Sequence, residues 1–220
     1  MSRRRRKNVM TRFATSATLC LLSMALLSGC FSLGRASVPP VTRYRLAYPA
    51  PTPRGTPIPA NVQVLPLRSA AMYDRVDVVY REGAHRVETY NYRRWGAQPA
   101  RMVRDLIERD LVAAEVAQAV VGGPSLAADY VLDGVVEEFE ERVDDGCSAH
   151  VRIRFVIARS AAAGRGAPPL QRVYEADEVC LDDGGDDLAS AMSRAVASIS
   201  EKLRADLVDF ADDDLSGSPR

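Results

Sequence analysis

The chain has 220 residues, with 29 Lys plus Arg against 29 Asp plus Glu and a formal net charge of zero. Six basic residues and no acid fall within residues 1–29, so the remainder holds 23 bases against 29 acids, a net charge of −6. An acidic remainder speaks against nucleic-acid binding, which rewards clustered Lys and Arg, and its length of about 190 residues suits one domain with a sizeable core.

M-S-R-R-R-R-K opens the chain, and an uncharged run from Phe13 to Gly29 follows. That run is shorter than the roughly 20 apolar residues of a spanning helix and is diluted by Ser and Thr, so residues 1–29 read as an export signal. The run ends in Leu27, Ser28, Gly29 and Cys30, which resemble the lipobox of bacterial lipoproteins. Small residues at Ser28 and Gly29 give enzymes at the membrane access to the Cys30 thiol, which takes the lipid, and to the peptide bond before it. Cys30 is then the acylated N-terminus, and its chains anchor the protein at about 0.8 kcal/mol per buried CH₂. Cys20 lies inside the run without a small residue before it. Phe31 stands where lipoproteins kept in the inner membrane often carry Asp, so the periplasmic face of the outer membrane is the expected location.

Residues 30–43 read as the lipidated Cys and a tether. Tyr44 to Tyr48 alternate as a strand, with Tyr44, Leu46 and Tyr48 on one face. Five prolines between Pro49 and Pro59 exclude both helix and central strand, leaving an extended loop. Asn61 to Leu67 form the next strand, with Val62 and Val64 on one side. Asp74–Arg81 and His85–Tyr90 form a hairpin around Gly83. Pro99 opens a helix, a position where its missing N–H does no harm. Its apolar stripe is Met102, Val103, Leu106, Ile107, Leu111 and Ala114, and it should stop by Gly122 to Pro124.

Two further strands, near 128–140 and 148–158, flank the turn at Asp144 to Gly146, and a third runs from Gln171 to Cys180. Asp186 or Asp187 should cap the last helix, whose stripe is Leu188, Met192, Ala195, Val196, Ile199, Leu203, Leu207 and Phe210. Residues 211–220 read as a disordered acidic tail. This order predicts an α+β fold in which a largely antiparallel sheet packs against two long helices, a single domain over 44–210.

Register predicts a disulfide. If 149–158 and 170–179 are arms of one antiparallel hairpin with Ile153 opposite Tyr174, then Val151 faces Ala176, Ile157 faces Leu170, and Cys147 faces Cys180. Opposed residues on one face have Cβ atoms about 4.5–5.5 Å apart, near what a disulfide needs. The alternative is two buried thiols that never meet, since a slip of one residue sends one of them to the other face.

No catalytic constellation is present. The histidines are His85, beside a turn, and His150, at the start of a strand, both read as ordinary partly exposed residues. Gly122 to Ser125 ends a helix instead of preceding one and so is not a phosphate cradle. Asp182 to Asp187 lacks the spacing of a calcium loop. No enzyme, cofactor or metal ligand set is expected.

From Tyr73 to Val103 the chain resembles the central signature of the ABC-type transport auxiliary lipoproteins, the PqiC-like family. The matching pieces are Tyr80 and Arg81 closing a strand, the Tyr92 to Trp95 segment, and Pro99 opening a helix soon after. The Tyr44 to Tyr48 strand soon after the lipid Cys and the long last helix fit as well. The resemblance implies a non-enzymatic periplasmic lipoprotein of an MCE-type lipid transport system, with an MCE-domain protein and an inner-membrane ABC transporter or permease as partners. A structural lipoprotein of another outer-membrane assembly complex is the alternative. Tyr90, Tyr92, Arg93, Arg94 and Trp95 are the expected partner contact, because Trp, Tyr and Arg dominate interface hot spots; self-association into a homo-oligomer is one use open to it. For Trp95 the competing reading is a core anchor wedged between helix and sheet.

Overall fold

The computed structural model describes residues 39–122, 127–164, 166–182 and 184–217. The leader, Cys30 and most of the tether lie outside the described residues. Nine strands and two long helices follow: β1 Thr42–Tyr44, β2 Ile58–Val64, β3 Arg68–Ser69, β4 Asp77–Glu82, β5 Arg86–Trp95, α1 Pro99–Ala113, β6 Ala117–Val121, β7 Tyr130–Arg142, β8 Ser148–Arg159, β9 Leu170–Val179 and α2 Gly185–Ser216. The α+β architecture is as expected, and the sheet proves to be mixed.

Its antiparallel part is β7–β8–β9 together with the β4–β5 hairpin. The second edge of β7 is shared in turn by β2, β3 and β4, each parallel to it. β6 adds parallel to β2, and β1 parallel to β5. Alternation explains the long strands. Ala149, Val151, Ile153, Phe155 and Ile157 of β8 are buried, and the residues between them turn to the opposite face. Gly134 of β7 lies opposite Phe155, where an added Cβ would come within 2.7 Å of that ring.

The two helices pack side by side on one face of the sheet. The eight apolar residues expected on the last helix are each at most 1% exposed, a continuous stripe laid over β8 and β9. Asp186 and Asp187 lie in the first turn of α2 and Gly184 is the cap, so the acids meet the helix dipole without capping it. Among the described residues, no helix is long and apolar enough to cross a membrane.

Several expectations are corrected, among them the exclusion of a central strand up to Pro59: β2 begins at Ile58, includes Pro59 and lies between β6 and β7. α1 ends at Ala113, not near Gly122: Glu115 turns the chain with a φ of 51°, and Ala117–Val121 leaves as β6 to cover the free edge of β2. β1 stops at Tyr44 because the Ala47 N–H is taken by Ser193 Oγ of α2 at 3.0 Å, although Leu46 still enters the core. β3 carried no strand signal. Residues 211–216 are helical, because Ala211 is buried and Asp214 accepts from the Tyr130 hydroxyl at 2.9 Å, from the Ala167 N–H and from Arg159.

Candidate partner surface

The β4–β5 hairpin pairs regularly from Glu82↔Arg86 to Val79↔Thr89, and then its register jumps to Asp77↔Arg94. One residue of β4, Val78, therefore stands against the whole segment from Tyr90 to Arg93, which bulges. Bulges re-aim side chains and increase twist. Here they gather aromatics and cations: the Tyr80 and Tyr90 rings lie 4.7 Å apart, and the Arg93 guanidinium sits 4.4 Å from the centre of the Tyr90 ring. Arg93 also reaches Glu141 of β7 at 4.0 Å. Burial first, and the Glu141 carboxylate second, push the Tyr90 hydroxyl well above its ordinary pKa, so it stays protonated and held by Glu141.

Of the five residues expected at a contact, Tyr92 is exposed at 39%, while Tyr90, Arg93 and Arg94 are half-buried. Arg94 is tied across the hairpin to Asp77 at 3.3 Å. Trp95 is not part of the surface. It is 2% exposed, packs edge-on against Phe139 at 5.3 Å, and its N–H donates to the Val76 carbonyl at 2.7 Å. The core-anchor reading of Trp95 replaces the contact reading, because β5 returns to register there and is covered by β1.

Behind this surface Arg81 runs into a buried acid. Glu140, 0% exposed, accepts from Arg81 and, at 2.6 Å, from the Tyr73 hydroxyl. Tyr73, ahead of β4, carries no signal of this role in the sequence. The hydrogen bond to Glu140 raises the Arg81 pKa further, so this charge is permanent.

A second polar cluster links the Pro-rich loop to both helices. Asp110, 1% exposed, accepts from Tyr48 at 2.8 Å, from Ser200 at 2.6 Å and from Arg109, whose guanidinium lies 4.4 Å over the Tyr48 ring. An open groove of about 560 Å³ lies above it, between Pro49, Pro51 and the small residues Ala197 and Ala205 of α2. Both Asp110 oxygens in its floor are occupied, which suits a strut better than a reactive centre.

The remaining candidates fall apart in space. His85 is exposed at the hairpin tip. His150 is 0% exposed, against the expectation of a partly exposed residue, because Glu138 and Asp177 close over it. Cys147 and Cys180 are joined at the opposite end of the β8–β9 hairpin from its turn, with Cα atoms 5.3 Å apart. Nothing brings a nucleophile and a base together among the described residues.

A family model for the ABC-type transport auxiliary lipoprotein component matches residues 44–203. No curated protein sequence matches the chain. The crystal structure of protein XCC0632 from Xanthomonas campestris, of the DUF330 family, superposes with a TM-score of 0.71 at 16% identity, covering 80% of this chain and 99% of that one. A crystal structure of an uncharacterized protein gives a TM-score of 0.63 at 15% identity, covering 77% and 99%. At such identities these likenesses establish the fold. The family match spans the sheet, α1 and most of α2, the same elements that build the bulged hairpin and its support, and the chain belongs to the ABC-type transport auxiliary lipoprotein family.

Proposed function

We propose that the chain is a non-enzymatic auxiliary subunit of an MCE-type lipid transport system, held by acyl chains on Cys30 at the periplasmic face of the outer membrane. The observation that carries this reading is the family match over residues 44–203; the L-S-G-C sequence after a basic, apolar leader supplies the anchor. The surface formed by Tyr90, Tyr92, Arg93 and Tyr80 is the docking face for an MCE-domain protein, with self-association as its second use. A tilted tyrosine pair under a guanidinium, set on a bulge, offers rigid amphipathic area at low entropic cost.

A photo-crosslinking amino acid at position 92 of the native lipoprotein, followed by identification of the captured chain, tests the docking face. An MCE-domain protein in the crosslink supports the reading; capture of β-barrel assembly components alone sinks it. The anchor has its own test in the mass of the native N-terminal peptide, and a processed Cys30→Ser protein that stays on the membrane would contradict lipidation.

A further inference from the structure

His150 lies on the face of β8 opposite the helices, in a belt of charged residues, yet it is fully buried. Both of its ring nitrogens meet carboxylates. Nδ1 is 2.8 Å from Asp177 Oδ1 on β9, and Nε2 is 3.1 Å from Glu138 Oε2 on β7, in an orientation that makes no hydrogen bond. A neutral imidazole carries one N–H and one lone pair, so one of these contacts sets a lone pair against a carboxylate oxygen unless the ring is protonated or a metal ion takes that lone pair. The surroundings have room for positive charge. Among the described residues, the cations that pair with Glu138, Glu140 and Asp177 besides the histidine are Arg81 and Arg142, one guanidinium fewer than carboxylates.

Strand register supplies the other donors. His150 pairs directly with Asp177, and Glu175 follows two residues away on the same face of β9. The ligand atoms of these three residues all lie within 4.8 Å of one another. Arg142 and Arg152 each take one oxygen, Asp177 Oδ1 at 3.1 Å and Glu175 Oε2 at 2.6 Å. Among the described residues no hydrogen bond reaches the second oxygen of either.

We propose that His150, Asp177 and Glu175 form a divalent-metal site of the zinc type. The ion sits on Nδ1 and on one oxygen of each carboxylate, which leaves Nε2 as the protonated nitrogen on the Glu138 side of the ring. Zinc accepts imidazole nitrogen and carboxylate oxygen at about 2.0–2.2 Å, and three protein ligands leave a fourth position for water. Water reaches it from the open side, where the Asp177 and Glu175 side chains are 51% and 44% exposed. A small rotation of the Glu138 side chain, 3.1 Å from Nε2 but not hydrogen-bonded to it here, would complete the carboxylate–histidine–metal arrangement that fixes the tautomer. An imidazole ligand selects against calcium and magnesium, which prefer oxygen donors alone. The ion would clamp the edge strand β9 to β8 three residues along the ladder from the disulfide.

The test is calorimetric titration of ZnCl₂ into full-length, untagged, EDTA-treated protein in detergent. One Zn²⁺ per chain is expected, with Asp177→Asn and Glu175→Gln each weakening binding by about tenfold or more and His85→Ala leaving it unchanged. His150→Gln should abolish binding; should that variant fail to fold, the ¹⁵N resonance of Nδ1 in the wild type decides, and it must move when zinc is added. No stoichiometric binding, binding indifferent to both carboxylate substitutions, or an unmoved Nδ1 resonance overturns the site.

Discussion

Cys147 and Cys180 stand one step beyond the Ser148↔Val179 pair, and the Cys180 N–H donates to the Cys147 carbonyl at 3.0 Å. The bond thus continues the β8–β9 ladder instead of bending it. It closes a loop with a sequence separation of 33, worth about 3–4 kcal/mol in the chain-entropy model. Free-thiol counting on unreduced, denatured protein should find neither cysteine reactive, and reduction should lower the urea midpoint without changing the far-UV spectrum of the native state.

Asp110→Ala should be among the most damaging single changes. It strands the Tyr48 and Ser200 hydroxyls and leaves the Arg109 guanidinium without its carboxylate. Breaking a buried charged cluster from one side costs about 3–5 kcal/mol, measurable by equilibrium unfolding. The loop bearing Pro49 and Pro51 should become sensitive to protease in the variant.

Acid should destabilise the protein through two carboxylates. Burial opposes the charged form of Asp214, but the Ala167 N–H, the Tyr130 hydroxyl and Arg159 outweigh it and hold its pKa below the ordinary carboxylate value. Arg154 first, and Arg152 with it, hold Glu137 low against its own burial. Each folded pKa lies below the unfolded one, so the stabilisation is complete above the unfolded value, about 4, and is lost as pH falls through the folded one. Thermal midpoints should therefore decline below about pH 4, and Asp214→Asn should flatten that decline.

Tyr92 and Trp95 separate contact from support. Trp95→Ala should cost about 3–5 kcal/mol in stability, as expected for truncating a buried aromatic. Tyr92→Ala, on the exposed bulge, should change stability by no more than about 0.5 kcal/mol while reducing co-purification of the transport partner. Equal loss of partner in a stable Tyr92→Ala protein and in wild type exposed to mild reductant would count against the bulge as the specific contact.

Much of the fold was legible because two signals were strong. The alternation through Val151, Ile153, Phe155 and Ile157 gave a face, and setting Ile153 opposite Tyr174 then carried the hairpin register to the cysteine pair, as the ladder has it. The α2 stripe was equally plain. What failed to show was decided at a distance. Ala117–Val121 is compatible with helix and becomes a strand only because β2 offers an edge. Asp212, Asp213 and Asp214 look like a solvated tail, and only Tyr130 and Arg159, far away in sequence, make the last of them a clasp. The bulge at Tyr90 to Arg93 leaves no mark in the sequence, since residue type alone does not say where pairing slips.

The sharing of one edge of β7 by β2, β3 and β4 sets an order of assembly. β4–β5 can close locally, but β2 has no neighbour until β6 and β7 exist, and three parallel joins wait on residues 130–142. Non-local parallel pairing is slow because loop closure must precede its reward. The meander β7–β8–β9 with α2 is built from neighbours in sequence and should therefore nucleate, while the first half of the chain docks afterwards. Pulse-labelled hydrogen exchange during refolding should show Val151 and Ile153 protected before Val62 and Val64; the reverse order would assign the nucleus to the N-terminal half. A chain that travels N-terminus first would thus spend its passage with β2 unpaired, most open to aggregation or to a chaperone until Arg142 has arrived.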